Sequence, residues 1–198
     1  MKKIMSVVVS VVFAMFSSIL CCNAAEVALT PEKAEVVEEL LYDTMSDFMS
    51  ARSGVRDAKK YKIECDYSRS ARRLVYKYAE LSNAYTLCDA AGVPYHEHAN
   101  VREYGRLLTA YFLMDVEAAN DLSTVDPKQM LGIFRGSEME LAAARAGRKV
   151  FIESASIQEG IQAIRNELIA KYGEDGLKKR MDDIIHLQRS IADFVLKG

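Results

Sequence analysis

Tryptophan is absent from the chain, and prolines number only three and cysteines four. Pro31, Pro94 and Pro127 each fall where a helical pattern begins or has just ended. No apolar stripe is therefore interrupted by a residue that lacks a backbone donor. Cys21 and Cys22 lie in the N-terminal apolar run, which leaves Cys65 and Cys88 for the remainder. No Cys-x-x-Cys pair exists, so haem attachment and dithiol redox chemistry lack their motif. A Gly-rich phosphate loop is missing too, which argues against nucleotide use. There is no Gly-x-Ser-x-Gly elbow and only three histidines, so nucleophilic catalysis has no recognisable base and turn. Internal repeats, low-complexity stretches and Asn-x-Ser/Thr sites are also missing.

What is present begins with an export pattern. Lys2 and Lys3 precede an uncharged run from Ile4 to Cys22, followed by Cys22-Asn23-Ala24 and the charged Glu26. That order of charge, apolar run and small residues is read by signal peptidase, with a cut after Ala24. Residues 1–24 are expected to be a signal peptide and 25–198 a single all-helical domain, periplasmic or secreted. The alternative is an inner-membrane anchor formed by residues 4–22, which approach the ~20 residues that span a bilayer. Ser6, Ser10, Ser17 and Ser18 weaken that span. Cys21 and Cys22 follow Leu20 and Cys21 rather than a small residue, which argues against a lipid-modified cysteine. Loss of the leader removes two lysines and no acid, leaving 24 basic against 28 acidic side chains.

Apolar residues then recur in steps of three and four almost throughout. Thr30-Pro31 opens a first helix with Val37, Leu41, Met45 and Phe48 on one face, fading near Ser53-Gly54. A second helix, from about Ser68 to Ala90, carries Ala71, Leu74, Tyr78, Leu81, Tyr85 and Cys88, and stops at Gly92 and Pro94. A third carries Val101, Tyr104, Leu108 and Tyr111 or Phe112, capped by Asn100 with Glu103 or starting earlier near Pro94. Asp126-Pro127 restarts a helix through Met130, Phe134, Leu141 and Ala144, crossing Gly132 and Gly136 and ending at Gly147. Lys149 to Glu153 reads equally as buried helix or a short extended piece. Ser156 with Glu159 is a capping box for Ile157, Ile161, Ile164 and Leu168, with Gly173 as the stop. A last helix bears Leu177, Met181, Ile184, Ile191 and Phe194 or Val195. The expected fold is all-α, an up-and-down bundle of about six helices with short loops. Near-heptad stripes also suit self-association. If the second helix is continuous, Cys65 and Cys88 stand on the order of 30 Å apart, which excludes a disulfide between them.

Candidate chemistry is sparse. His96-Glu97-His98 can share a metal in an extended turn but not on a helix, where i and i+2 diverge. Asp183 and His186 have the spacing of a bundle di-metal site, but the second such motif and its carboxylates are missing. Glu138 and Glu153 are candidate acids that nothing distinguishes. Tyr76, Tyr78, Tyr85, Tyr104 and Tyr111 read as core or half-core rings. No catalytic, cofactor-binding or metal residue is assigned, and no cofactor is implied.

The strongest asymmetry is electrical. Residues 52–77 hold nine basic against three acidic side chains, and the rest of the mature chain fifteen against twenty-five. Arg69, Arg73 and Lys77 repeat every four residues with Arg72 beside them, an expected surface for an anionic envelope component or an acidic protein. Nucleic acid is not expected. The reading that follows is an exported, non-enzymatic binding or scaffolding module of the cell envelope. The alternatives are a small envelope enzyme with a site assembled only in three dimensions, or a helical carrier of a small apolar ligand. A deep pocket with Glu and His would mark the enzyme, a dry cavity lined by Tyr and Met the carrier, and a closed core with exposed stripes the binding module.

Overall fold

The structure, a computed structural model, describes residues 30–62, 64–115 and 137–197. The expected signal peptide and the helical restart at Asp126-Pro127 lie outside them. All regular structure among the described residues is helical. The helices are α1 (Pro31–Tyr61), α2 (Glu64–Ala91), α3 (Val101–Phe112), α4 (Ser137–Gly147) and α5 (Ile157–Lys197). A 3-10 turn, Leu113–Asp115, extends α3, and a π-helical segment, Arg148–Glu153, extends α4. The all-α expectation therefore holds, with five helices in the described part. None of them is long and apolar enough to cross a membrane.

The centre of the fold is α2, against which α1, α3, α4 and α5 all pack. Its expected stripe, Ala71 to Cys88, is buried at every position, and Val75, Ala79, Ala84 and Leu87 are buried as well. A helix apolar on most of its circumference belongs inside. Its exit is a paired-bond cap: Val93 N–H donates to the Cys88 carbonyl at 3.0 Å, and Gly92 N–H to the Asp89 carbonyl at 3.3 Å. This satisfies two carbonyls that the helix end would leave orphaned. Pro94 then keeps the chain out of helix. Cys88 is a free, fully buried thiol. Burial, then the charge of Asp89, pushes its pKa up to about 11.

Some helix limits and one cap differ from the sequence-based expectation. The first helix does not fade at Ser53-Gly54 but runs to Tyr61, because Ala51, Val55 and Ala58 continue the buried row from Phe48. That burial outweighs the ~1 kcal/mol a helical glycine costs. The turn falls instead at Lys62, with φ 57°, and α2 starts at Glu64. Asn100 is not a side-chain cap: it sits at φ 63°, ψ 0° with no cap hydrogen bond, whereas a capping side chain needs extended backbone. Residues 93–98 are non-helical, so α3 does not start near Pro94 either. Gly147 is the last residue of α4, as expected, and the chain runs on at once into the π-helical segment. Gly147 is also a contact point, where an added Cβ would lie 2.9 Å from the Ala71 carbonyl carbon and the Arg72 nitrogen. The ambiguous Lys149 to Glu153 is the π-helical segment.

Ser156 caps α5 as expected, Glu159 N–H donating to its Oγ at 3.2 Å, while the Glu159 carboxylate accepts from the N–H of Ala155, one residue before the cap, at 2.9 Å. Gly173 interrupts α5 with φ 72° and ψ 170°, after which the helix resumes at once.

Candidate binding groove

The site is built on one face of α2. Residues 73, 77, 80, 84 and 87 follow helical spacing along it, as Arg73, Lys77, Glu80, Ala84 and Leu87. Leu40 and Thr44 of α1 form one wall, and Gln188, Ile191, Ala192 and Val195 of α5 the other. Glu140 of α4 marks the end next to Arg73 and Tyr76. Together they enclose a half-open groove of about 660 Å³ with a mainly apolar lining. Leu40 is 45% exposed and Val195 43%. Val36, one turn before Leu40, is 62% exposed.

The groove's polar groups are fixed by the protein itself. Gln188, 4% exposed, donates through Nε2 to Asn83 Oδ1 at 2.7 Å and to Ser82 Oγ at 3.1 Å. Its Oε1 accepts from Arg106 Nε at 2.9 Å. Burial, then the charge of Arg102, lowers the Arg106 pKa. Lys77 Nζ lies 2.8 Å from Asp47 and 2.5 Å from Glu80. Burial pulls the Lys77 pKa down, but hydrogen bonds to Asp47 and Glu80 outweigh it and leave the pKa raised. The same Lys77 bond, reinforced by charge, holds the Asp47 carboxyl below its usual range.

The four cations singled out from sequence occupy distinct places. Arg73 and Lys77 line the groove, and Arg73 reaches Asp47 at 3.7 Å. Arg72 stands at the rim, 3.7 Å from Glu140. Arg69 is exposed and has no ion pair among the described residues. Lys59 and Lys60 lie in the last turn of α1, and Lys62 forms the turn that follows.

The His96-Glu97-His98 tripeptide is non-helical, with ring centroids 6.0 Å apart in a T-shaped arrangement. Among the described residues no group of three or more His, Cys, Asp or Glu side chains could hold a metal. Asp183 and His186 lie on α5 without further ligands. Glu153 is exposed at the end of the π-helical segment, and the Glu138 side chain lies outside the described residues, as do those of Cys65 and Tyr67.

A second polar cluster clamps the 93–100 connection. Arg102 pairs with Asp89 at 2.5 Å and Glu97 at 3.1 Å, and donates to the Tyr95 hydroxyl. Tyr95 donates in turn to Asp89 at 2.6 Å and stacks on Tyr85, centroids 4.8 Å apart. Burial raises the Asp89 pKa, but its bonds to Arg102 and Tyr95 prevail and leave it lowered. Burial, then the bond to Asp89, pushes the Tyr95 pKa up to about 12.

A pH dependence follows from the two lowered carboxyls. Their contribution to stability is complete above the usual Asp range, near pH 4, and is lost as pH falls through their lower folded values. Urea midpoints measured from pH 6 down to 2 should decline below about pH 4. Asp47→Asn and Asp89→Asn together should flatten that decline. An unchanged slope in the double variant would mean other carboxyls carry it.

The apolar side of the groove was not expected from the sequence, although one sign was there. Val36-Val37 and Leu40-Leu41 double the stripe of α1, and one member of each pair is more than the core needs. The Phe194-Val195 ambiguity in α5 has the same origin, both side chains being exposed. No family model, curated protein or solved structure matches the chain.

Proposed function

We propose that the chain is an exported, non-enzymatic binding or scaffolding module of the cell envelope, and that it takes its partner in the groove between α1, α2 and α5. In this reading residues 1–24 are removed and the mature chain, from Ala25, folds as an up-and-down bundle of about six helices. The carrying observation is the groove itself: about 660 Å³, mainly apolar, and bordered by exposed Leu40, Val36 and Val195. Its volume falls within the ~300–1,000 Å³ of ligand sites. Its polar groups are engaged with one another, which favours binding over chemistry. Being half-open, it suits a macromolecular surface better than the enclosed cavity a carrier needs.

The test uses an apolar solvatochromic dye, 8-anilinonaphthalene-1-sulfonate, and the variant Leu40→Asn/Val195→Asn. Both side chains are over 40% exposed, so the cost to stability should stay near 0.5 kcal/mol per site. Wild type should take up the dye, and the variant should lose about ten-fold in affinity, or about 1.4 kcal/mol, with its helical circular dichroism intact. Equal uptake by both would sink the reading.

A second reading keeps Arg69, Arg72, Arg73 and Lys77 as a face for an anionic envelope component. Exposed Arg69 without an ion pair among the described residues favours it. Salt-sensitive sedimentation with anionic vesicles, lost in Arg69→Glu, would support that surface.

A further inference from the structure

We infer that the occupant of the groove is an amphipathic helix with a basic flank, supplied by a partner protein. The inference rests on the groove reading above and adds the chemistry of what fills it. Among the described residues the α1, α2 and α5 helices present three faces to one open channel, a shape that suits a further helix. Leu40, Ala84, Leu87, Ile191 and Val195 offer apolar contacts along it, suited to anchors at i, i+3 or i+4, and i+7.

Charge decides the flank. Residues 31–48 of α1 carry six acids and one lysine. Four of the acids, Glu35, Glu39, Asp43 and Asp47, repeat every four residues and run beside Val36, Leu40 and Thr44. Asp47, at the inner end, is neutralised by Lys77 and Arg73. Glu35, Glu39 and Asp43 are exposed and have no ion pair among the described residues. Like charges at i, i+4 destabilise a helix, so the row works against α1 unless cations face it. The unneutralised section, nine residues from Glu35 to Asp43, spans about 12 Å, or just over two turns of an opposing helix. Two or three Lys or Arg side chains at i, i+4 spacing would meet it while the adjoining apolar stripe enters the groove.

The experiment is fluorescence anisotropy with the full chain and three labelled peptides of about five helical turns. One has a leucine stripe flanked by lysine, the second the same stripe flanked by glutamate, and the third the lysine composition scrambled. The lysine-flanked peptide should bind about ten-fold or more tighter than either other peptide and weaken as salt rises. Glu39→Lys/Asp43→Lys should reverse the preference, and Leu40→Asn/Val195→Asn should abolish binding of both striped peptides. Equal binding of the lysine and glutamate peptides, lost in the Leu40/Val195 variant, would overturn the basic flank and leave the groove reading in place. Dye uptake without peptide binding would do the same. Absence of both dye and peptide binding would overturn both statements. Concentration-dependent dimerisation in sedimentation velocity that blocks the lysine peptide and disappears in the Leu40/Val195 variant would assign the groove to a second copy of the chain and overturn a separate partner.

Discussion

Gly105→Ala is expected to destabilise the protein, although alanine is the better helix former. A Cβ at this position would lie 2.5 Å from Ser82 Cβ and closer still to the Tyr78 carbonyl oxygen. Propensity alone favours the substitution by ~1 kcal/mol. Overpacking in a filled core costs ~1–3 kcal/mol, occasionally more, and here the obstacle is the backbone of the central helix, which no rotamer relieves. We expect a net loss of about 2–3 kcal/mol, with α3 displaced from α2. Gly54→Ala is the control. Its Cβ would meet only the Ser70 side chain, Oγ at 3.4 Å and Cβ at 3.8 Å, so it should gain up to ~1 kcal/mol. Opposite signs in urea denaturation would support the close α2–α3 approach. A gain at both sites would show that α3 does not cross α2 there.

Tyr85→Ala should be the more damaging substitution, at about 3–5 kcal/mol. The ring is fully buried, stacks on Tyr95 and lies under the Arg102 guanidinium at 5.7 Å. Its hydroxyl accepts the His98 backbone N–H at 3.2 Å. Truncation therefore opens a cavity in the core and unfastens the connection between α2 and α3 together. Tyr85→Phe keeps the packing and orphans one backbone donor, a loss of roughly 1–3 kcal/mol. Hydrogen exchange should separate the two effects, with faster exchange of the His98 amide in Tyr85→Phe and of the whole 93–100 stretch in Tyr85→Ala. A loss below about 1 kcal/mol in Tyr85→Ala would mean that Tyr85 is not the packing centre its burial indicates.

Features closed by local hydrogen bonds were legible in the sequence. Pro31 opens α1, Gly92 with Pro94 closes α2, and Ser156 with Glu159 starts α5, because each device involves residues within six positions of one another. Boundaries set by distant packing were not. Gly54 reads as a stop until α2 covers Ala51, Val55 and Ala58. Gly147 reads as a terminator, which it is, but the Ala71 backbone packed against it is set by the tertiary fold. The same limit applies to the groove. Its walls come from α1 and α5, near opposite ends of the described chain, and no short-range pattern couples Leu40 to Val195. The basic row on α2 was visible, but Asp47 and Glu140, which pair with Arg72, Arg73 and Lys77, arrive from other helices.

The break at Gly173 sets the reach of the molecule. Drawn out straight, the 41 residues of α5 would form a rod of about 60 Å, twice the ~30 Å that a 20-residue helix needs to cross a small domain. Half of such a rod would project with no neighbour, and Ile184 and Leu187, now buried, would be carried away from the core. A φ of 72° with ψ of 170° is open almost only to glycine. A single missing side chain thus decides whether the residues after Gly173, about an eighth of the chain, wall the groove or extend as an unsupported arm.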